Sequence, residues 1–428
     1  MDKLSNNISL ISKLKKIFFP FYKSKELKKL FKIINKDTEK KTQTAMFVGG
    51  CVRKFLNNEI IDDIDIATTL SPEELKEKLK DTEFKTIDTG LEHGSLTIIC
   101  NSNKFEVTTL RKDIKTDGRH AEIEYTNDWE QDSTRRDFTI NAIYMDRSGK
   151  LFDPQNGIND LKEKKIKFIG DPLKRIEEDY LRIIRFIRFS IHYNNLISDP
   201  ENIKAIKINL NGINQLSKER VLNELYKIFS LKNLNVLLEN KDINDIFSLI
   251  FPEFKFLERL DKLLKNTLIP LSTSFIFSTL LIDEKDNHEY FCHKYKVSNK
   301  LKNQLSLLAS HYVEFKENKN FLKRDLKKNI YKIGKNEIKN LVFFIYLAEK
   351  NFTKNLLDKT IEQIEKITPP KFPYKGQYLI DQGITDGKKI GYALKELERE
   401  WIEKDFELNN KEARLIVEKV KKLDVLYI

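Results

Sequence analysis

Apolar side chains in the first third of the chain follow two rhythms. Between Ser24 and Ile34 they fall at Leu27, Leu30, Phe31 and Ile34, the spacing that lays one stripe along a helix. Ala45 to Val48 is a short unbroken apolar run, closed by Gly49-Gly50 and followed by the helix-like Val52 to Leu56, which predicts a strand, a glycine turn and a helix. From Ile61 to Thr68 the period drops to two: Asp63, Asp65 and Ala67 alternate with Ile64, Ile66 and Thr68, as on a strand. Ser71-Pro72-Glu73-Glu74 then opens another helix, with serine as cap, proline at the first position and a glutamate placed to reach back.

Leu96 to Cys100 and Phe105 to Leu110 read as a hairpin turning at Asn101-Ser102-Asn103, followed by a polar, charged loop from Arg111 to Asp132. A further stretch, Phe138 to Tyr144, ends at the turn Arg147-Ser148-Gly149. Beyond Asp171 nearly every segment has helical spacing, among them Tyr180 to Ile191, Lys218 to Phe229, Phe275 to Leu281 and Asn340 to Leu347. The pattern predicts a mixed α/β head and an all-helical extension. Thr368-Pro369-Pro370-Lys371-Phe372-Pro373 marks a break between modules, and no repeat of fixed period or low-complexity tract is present.

Length changes the picture by requiring several packed modules, since 428 residues exceed one ordinary core. Hydrophobic residues at 40% and charged residues at 33% fit a folded chain and argue against wholesale disorder. No apolar run is long enough to cross a bilayer, and Ile17-Phe18-Phe19-Pro20-Phe21, flanked by Lys15, Lys16 and Lys23, reads as packing rather than export. Cys51, Cys100 and Cys292 are too scattered for a disulfide framework or a zinc site and point to a reducing cytoplasm. A net charge of +12 and a pI near 9.1 favour an anionic partner such as nucleic acid. Lysines that merely solvate the surface would give the same total.

Asp63 and Asp65, two apart on a predicted strand, project from one face with oxygens close enough to share divalent cations. Hard oxygens suit magnesium, and a pair of such ions stabilises both the attacking and the leaving oxygen of a phosphoryl displacement. An Asp-x-Asp pair alone is more often solvent-exposed charge. Here Gly49-Gly50 lies upstream between strand and helix, where backbone amides can approach phosphate, with Arg53 one turn inside the helix. Glu106, outward-facing in Phe105-Glu106-Val107-Thr108, is a candidate third carboxylate or else half of an ion pair with an arginine.

Taken together, GGCVRKFL at 49 to 56, DDIDIAT at 62 to 68, RRDFTINAI at 135 to 143 and EDYLRIIRFIRF at 178 to 189 resemble the class II tRNA nucleotidyltransferases, the family of CCA-adding enzymes and bacterial poly(A) polymerases. LEHGSLTI, FEVTTLRKD, TDGRHAE, LFDPQNGINDLKEKKIKFIGDP and LSKERVLNEL look like the same family, and residues 372 to 406 look like the tail of its longer members. Lys54 departs from it, since the family usually has Asp after the motif arginine, and this leaves open what orients Arg53. The resemblance implies an α/β head of the polymerase β-like nucleotidyltransferase fold at 22–170, then an all-α neck at 171–232, body at 233–367 and tRNA-binding tail at 368–428. It implies Gly49, Gly50 and Arg53 for the triphosphate, two Mg2+ ions on Asp63 and Asp65, and Arg136 for the nucleotide. Asp137 and Asn141 are candidates for the sugar.

Asp179, Arg182, Arg185 and Arg188 fall three apart on a predicted helix and form a polar stripe that demands partners. One account is an ion-pair network between helices. A sharper one follows from the bases. Cytosine and adenine each present an amino donor beside a ring-nitrogen acceptor, which Asp179 and Arg182 would match; uracil and guanine present a carbonyl and a ring N–H, which they would oppose. The resemblance implies this role for Asp179 and Arg182, with Arg185 and Arg188 supporting the pocket or phosphates. No histidine is assigned as general base; His93 and His120 lie near the head motifs, and His120 falls in a charged loop suited to closing on a nucleotide.

The expected function is addition of CCA to the 3′ end of tRNA from CTP and ATP without a template, the tRNA being gripped along its acceptor and TΨC arms. A poly(A) polymerase, or a variant adding only C or only A, would share the same motifs, although EFKTIDTGLEHGSLTI looks more like CCA-adding relatives. A catalytically silent RNA-binding protein is disfavoured by retention of Asp63, Asp65, Asp179 and Arg182. No membrane association and no protein partner is indicated.

Overall fold

The computed structural model describes residues 20–36, 43–116, 121–269 and 271–423, so Ile17-Phe18-Phe19 and His120 lie outside the described residues. Leu27, Leu30, Phe31 and Ile34 form the buried stripe of α1 (Lys25–Ile34), whose first turn is capped by the Ser24 hydroxyl accepting the Leu27 N–H at 3.3 Å. The run Ala45–Val48 is β1 and is buried at every position, because it lies between two neighbours in a seven-stranded sheet. Past Val48 the chain turns at Gly49 into α2 (Gly50–Leu56). The remaining strands of that sheet are β2 (Asp65–Thr68), β3 (Lys85–Gly90), β4 (Ser95–Cys100), β5 (Asn103–Thr109), β8 (Tyr144–Met145) and β9 (Leu151–Phe152), in the order β3-β4-β5-β2-β1-β8-β9. All pairings are antiparallel except β2 with β5, which sets Asp65 directly beside Glu106.

Several expectations are met closely. α3 (Pro72–Leu79) begins with the Ser71–Glu74 capping box, and β4 and β5 turn tightly through Asn101, whose φ of 55° is the left-handed value that Asn tolerates. Others are corrected. β2 begins at Asp65 rather than Ile61, because β1 has already turned away at Gly49 and offers no ladder to the residues before it. β3 is not among the expected strands; its residues are mostly exposed and its polar sequence offers no apolar run to detect.

The segment Arg111 to Asp132 is not a loop. It forms a separate two-stranded sheet of β6 (Arg111–Thr116) and β7 (Ala121–Tyr125), then α4 (Trp129–Thr134). Charge hid these strands from a hydrophobicity pattern and also holds them, since Lys112 and Glu124 face each other across the ladder with a 2.6 Å ion pair. Phe138 to Tyr144 holds a 3-10 turn at Thr139–Asn141 before the two-residue β8.

After α5 (Gly157–Lys162), the described structure is helical: α6 (Pro172–Glu178), α7 (Leu181–His192), α8 (Pro200–Asn209) and α9 (Lys218–Phe229) follow in order. Asp171, Asp199 and Ser217 cap α6, α8 and α9 through their side chains. Phe138 of the head packs on Phe168 (4.9 Å between ring centres) and on Phe189 of α7 (5.4 Å), and Phe168 stacks on Phe186 at 5.8 Å. These rings seat α7 against the head.

Two compact units emerge. One holds residues 1–264 with 294–296; the other holds 265–293 with 297–428. The expected boundaries near 170, 232 and 367 fall within them. In the second unit, Leu379, Ile384, Ala393, Leu397, Ala413, Val417 and Val420 make one core, and Trp401, Ile402 and Phe406 make another. The expected break at 368–373 is indeed non-helical, but Phe372 packs on Trp401 at 5.4 Å and ties it down. All three cysteines are free and buried, and no helix among the described residues is long and apolar enough to cross a membrane.

Candidate active site

Gly49 adopts φ 70° and ψ −124°, a conformation reserved for glycine, and this turns β1 sharply into α2. The turn is close under its neighbours: a Cβ at Gly49 would lie 3.8 Å from both Asp65 Oδ2 and an Arg136 guanidinium nitrogen, and one at Gly50 would lie 3.7 Å from Asp65 Oδ2. The glycines thus floor a cleft of about 880 Å³. Gly49, Gly50, Arg53, Asp63, Asp65, Arg136, Asp137, Asn141, Asp179, Arg182, Arg185 and Arg188 all line it. Asp62 and Asp113 line it as well, whereas Glu106 and His93 do not.

Asp65 opens β2 in a half-buried position. Burial, then the nearby Glu106 and Asp63, push its carboxyl up to about 6, with Arg136 and Arg53 only partly offsetting them. Asp63 is exposed and lies outside the strand, so the two acids are not successive outward positions of one ladder as expected. Glu106 meets Asp65 through the parallel pairing and, among the described residues, makes no ion pair with an arginine, yet it stands outside the cleft wall. No group of three or more His, Cys, Asp or Glu among the described residues closes around one point. Excess negative charge at Asp65 nevertheless marks this end as one that a hard cation would relieve. Beneath it, the Cys51 thiol donates to the carbonyls of Val48 (3.3 Å) and Asp65 (3.5 Å), and burial pushes it up to about 12, which makes it packing rather than chemistry.

Arg53 is buried and held through two of its three guanidinium nitrogens. Its Nε donates to the Tyr193 hydroxyl at 2.5 Å, its Nη1 to Asn141 Oδ1, and its guanidinium lies 4.7 Å from the centre of the Phe189 ring. These contacts answer what orients Arg53 in a chain with Lys54 beside it. Lys54 turns the other way, to an ion pair with Asp62.

Arg136 is held by a residue that the sequence did not single out. Asp132, fully inaccessible on α4, accepts Arg136 Nη2 at 3.0 Å, Arg135 Nη2 at 2.7 Å and the Tyr144 hydroxyl at 2.7 Å. Burial would raise its carboxyl, but the two arginines hold it far below the usual range. Arg175 Nη2 donates to the carbonyls of both Arg135 (2.5 Å) and Arg136 (2.6 Å), fixing the backbone of that pair. Asp137 is similarly enclosed: Oδ1 accepts from Asn141 (2.7 Å) and Oδ2 from Arg185 (2.6 Å), and despite burial Arg185 brings its carboxyl down to about 2.

Asp179 is not on the helix with the arginines. It is the C-cap of α6, in extended conformation, because Tyr180 starts α7 afresh. Its Oδ1 accepts the Leu181 N–H at 3.1 Å and its Oδ2 accepts Arg220 Nη2 at 2.7 Å. Arg182 Nη1 donates to Glu178 (2.5 Å) and to the Arg175 carbonyl (2.6 Å), and Arg188 Nε to the buried Glu224 at 2.6 Å. The stripe therefore has the ion-pair network weighed for it while its members still face the cleft. Besides Asp132, the missed residues are Tyr193, Glu178, Arg220 and Glu224. Asp132 had a readable signal, standing three and four positions before two arginines, and so did Glu178, three after Arg175 and four before Arg182; Tyr193, Arg220 and Glu224 are long-range partners with none.

Three comparisons bear on this arrangement. Residues 45–167 match the family model of the poly A polymerase head domain. Over 397 residues, 89% of this chain and 88% of the relative, the sequence is 32% identical to human CCA tRNA nucleotidyltransferase 1, mitochondrial. Over 374 residues it is 28% identical to the CCA-adding enzyme of Streptococcus uberis, covering 84% of this chain and 88% of that one. The fold is similar to the crystal structure of the Bacillus stearothermophilus CCA-adding enzyme in complex with CTP, with a TM-score of 0.69 at 21% identity, covering 93% of this chain and 98% of that chain.

Proposed function

This chain belongs to the family of CCA-adding tRNA nucleotidyltransferases, and from that footing we propose that it builds CCA onto the 3′ end of tRNA from CTP and ATP without a template, releasing pyrophosphate. The observation that carries the reading is a single cleft lined by a glycine turn with its arginine, an acid pair and an arginine-rich helix. Those are the three things the reaction needs: a triphosphate cradle, charge to stabilise an in-line displacement, and donors and acceptors to choose a base.

Gly49 and Gly50 leave room for phosphates, and Arg53 and Arg136 face them with positions already set by Asn141, Tyr193 and Asp132, so little reorganisation is asked of them. Asp63 and Asp65 would hold Mg2+, with Glu106 near enough to add its charge to theirs; the raised Asp65 carboxyl supports the fit. When bound, such ions activate the attacking 3′-hydroxyl and neutralise the departing pyrophosphate. Asp137 and Asn141 hold each other in the cleft wall and are the candidates for the sugar.

Base choice falls to Asp179 and Arg182. The carboxylate keeps lone pairs beyond those given to Leu181 and Arg220, and the guanidinium uses only Nη1 in its present bonds, so both retain capacity for the amino and ring-nitrogen edge shared by cytosine and adenine. The net positive charge fits a tRNA partner, whose acceptor and TΨC arms the expected tail at 368–428 would help to grip. The cytoplasm is the compartment suggested by three reduced thiols; the human relative is designated mitochondrial, and imaging of a tagged chain separates the two.

Incubation with tRNA lacking its CCA, together with CTP, ATP or both, followed by product sequencing, tests the proposal. The expected product ends in CCA and requires both nucleotides. Long A tracts on unrelated RNA would instead identify a poly(A) polymerase.

A further inference from the structure

Asp62, Asp63 and Asp65 crowd three acids onto a segment that the sheet holds only in part. β2 starts at Asp65, and just upstream the Ile64 carbonyl accepts the Glu106 N–H at 3.0 Å. Asp63 precedes both ties and is exposed. A ligand that must stay in register with a second one needs a support of its own. The described bonds offer one: Asp62 Oδ1 accepts the Asp63 N–H at 3.0 Å, and the same oxygen accepts the ammonium of Lys54. Lys54 sits on α2, whose Cys51, Val52 and Arg53 are buried, so the helix is a firm base. Lys54 itself lines the cleft, and the ion pair holds the Asp62 carboxyl below its ordinary value.

We propose that Lys54 is a positioning residue for the metal pair: through Asp62 it pins the backbone of Asp63 to α2, so that Asp63 and Asp65 are presented together. The inference rests on the reading of Asp63 and Asp65 as cation ligands. It also gives the departure at this position a physical sense. An acid at 54, as the family usually has, would face Asp62 across the same gap and repel it; lysine and Asp62 belong together here.

The direction of one effect separates positioning from mere charge. A lysine ammonium near a cation site repels the cation, so if Lys54 acted only through its field its removal would tighten metal binding. If it positions Asp63, removal loosens binding. Binding of Mn2+ to the full chain without nucleotide, followed by the electron paramagnetic resonance signal of the free ion, reads this without reference to activity, with melting temperatures checking that each variant is folded. Lys54→Ala and Asp62→Asn should each weaken Mn2+ by roughly two- to fivefold, the scale a half-exposed pair supports, and the double variant should be no worse than either.

Lys54→Arg should retain binding. Lys54→Asp should weaken it further, and the exchanged pair K54D/D62K should recover it. Unchanged or tighter binding in Lys54→Ala, set against lost binding in Asp63→Ala, overturns the inference alone. Unchanged binding in both overturns the metal reading beneath it as well.

Discussion

The two ends of the cleft bury acids of the same kind to opposite effect. At the proposed metal end, Asp65 is crowded by Glu106 and Asp63 and its carboxyl rises to about 6. At the end proposed to read the base, Asp137 is enclosed at least as deeply, yet Arg185 brings it down to about 2. Burial is common to both, so the sign is set by the neighbours. One end carries negative charge that Arg136 and Arg53 only partly offset and that a cation would relieve; at the other the acid is already paired. Catalysis by preorganisation needs both, a place where charge will be added and a frame that does not relax when it is.

Removing an acid from the deficient end should have the largest effect. Asp63→Ala or Asp65→Ala is expected to lower CTP and ATP incorporation by roughly a thousandfold or more, about 4 kcal/mol of barrier, while tRNA binding in a filter assay stays intact. Incorporation within tenfold of the parent would remove the metal assignment and with it the contrast between the ends.

Removing a compensated acid should damage the fold instead. Asp132→Ala leaves Arg135, Arg136 and the Tyr144 hydroxyl buried without their common acceptor, and a loss of roughly 3 kcal/mol in urea unfolding is expected. An unchanged midpoint would show that the arginines find other partners.

That contrast explains what was legible in the sequence. Gly49-Gly50, Asp63, Asp65 and the arginines of α7 announced themselves because they stand in short, local patterns: a glycine turn, the alternation that runs into β2 and an amphipathic helix. The frame behind them did not. Tyr193 meets Arg53 across 140 positions and Arg220 meets Asp179 across 41, and no local periodicity records such partners. The hairpin β6–β7 was hidden for another reason: it is stabilised by cross-strand charge rather than by an apolar face, so its composition resembles a loop. Asp179 was placed on the helix by spacing alone, whereas the chain breaks at Tyr180 and uses the acid as a cap.

The compensated end also has a pH signature. Because the folded Asp137 carboxyl lies below its unfolded value, its ionised form is the stabilising one. Its contribution is complete above about pH 4 and is lost as the pH falls through about 2, in all roughly 2 kcal/mol. Urea unfolding of the parent and of Asp137→Asn across this window should converge at the acid end; parallel curves would contradict the pairing with Arg185.

Base choice should respond at a similar or smaller scale. Asp179→Ala removes the acceptor for the amino group of C and A, and discrimination against UTP and GTP is expected to fall by roughly tenfold to a hundredfold with incorporation itself retained. Unchanged selectivity in single-nucleotide assays would assign Asp179 to the Arg220 ion pair alone.

Arg53 joins the two ends, and the smallest expected effect tests that joint. It rises from the glycine turn, but its guanidinium is held by Phe189 and Tyr193 at the end of the same helix that carries Arg182, Arg185 and Arg188. Tyr193→Phe removes one acceptor while the Asn141 bond and the Phe189 ring remain, so a cost of about 1 kcal/mol is expected rather than collapse. Because the contact bears on phosphates common to every nucleotide, KM for CTP and ATP should rise together by about fivefold with kcat and base selectivity unchanged. A rise confined to one nucleotide would mean that Arg53 belongs to the base-reading end, and the division between a deficient and a compensated region would have to be redrawn through α2.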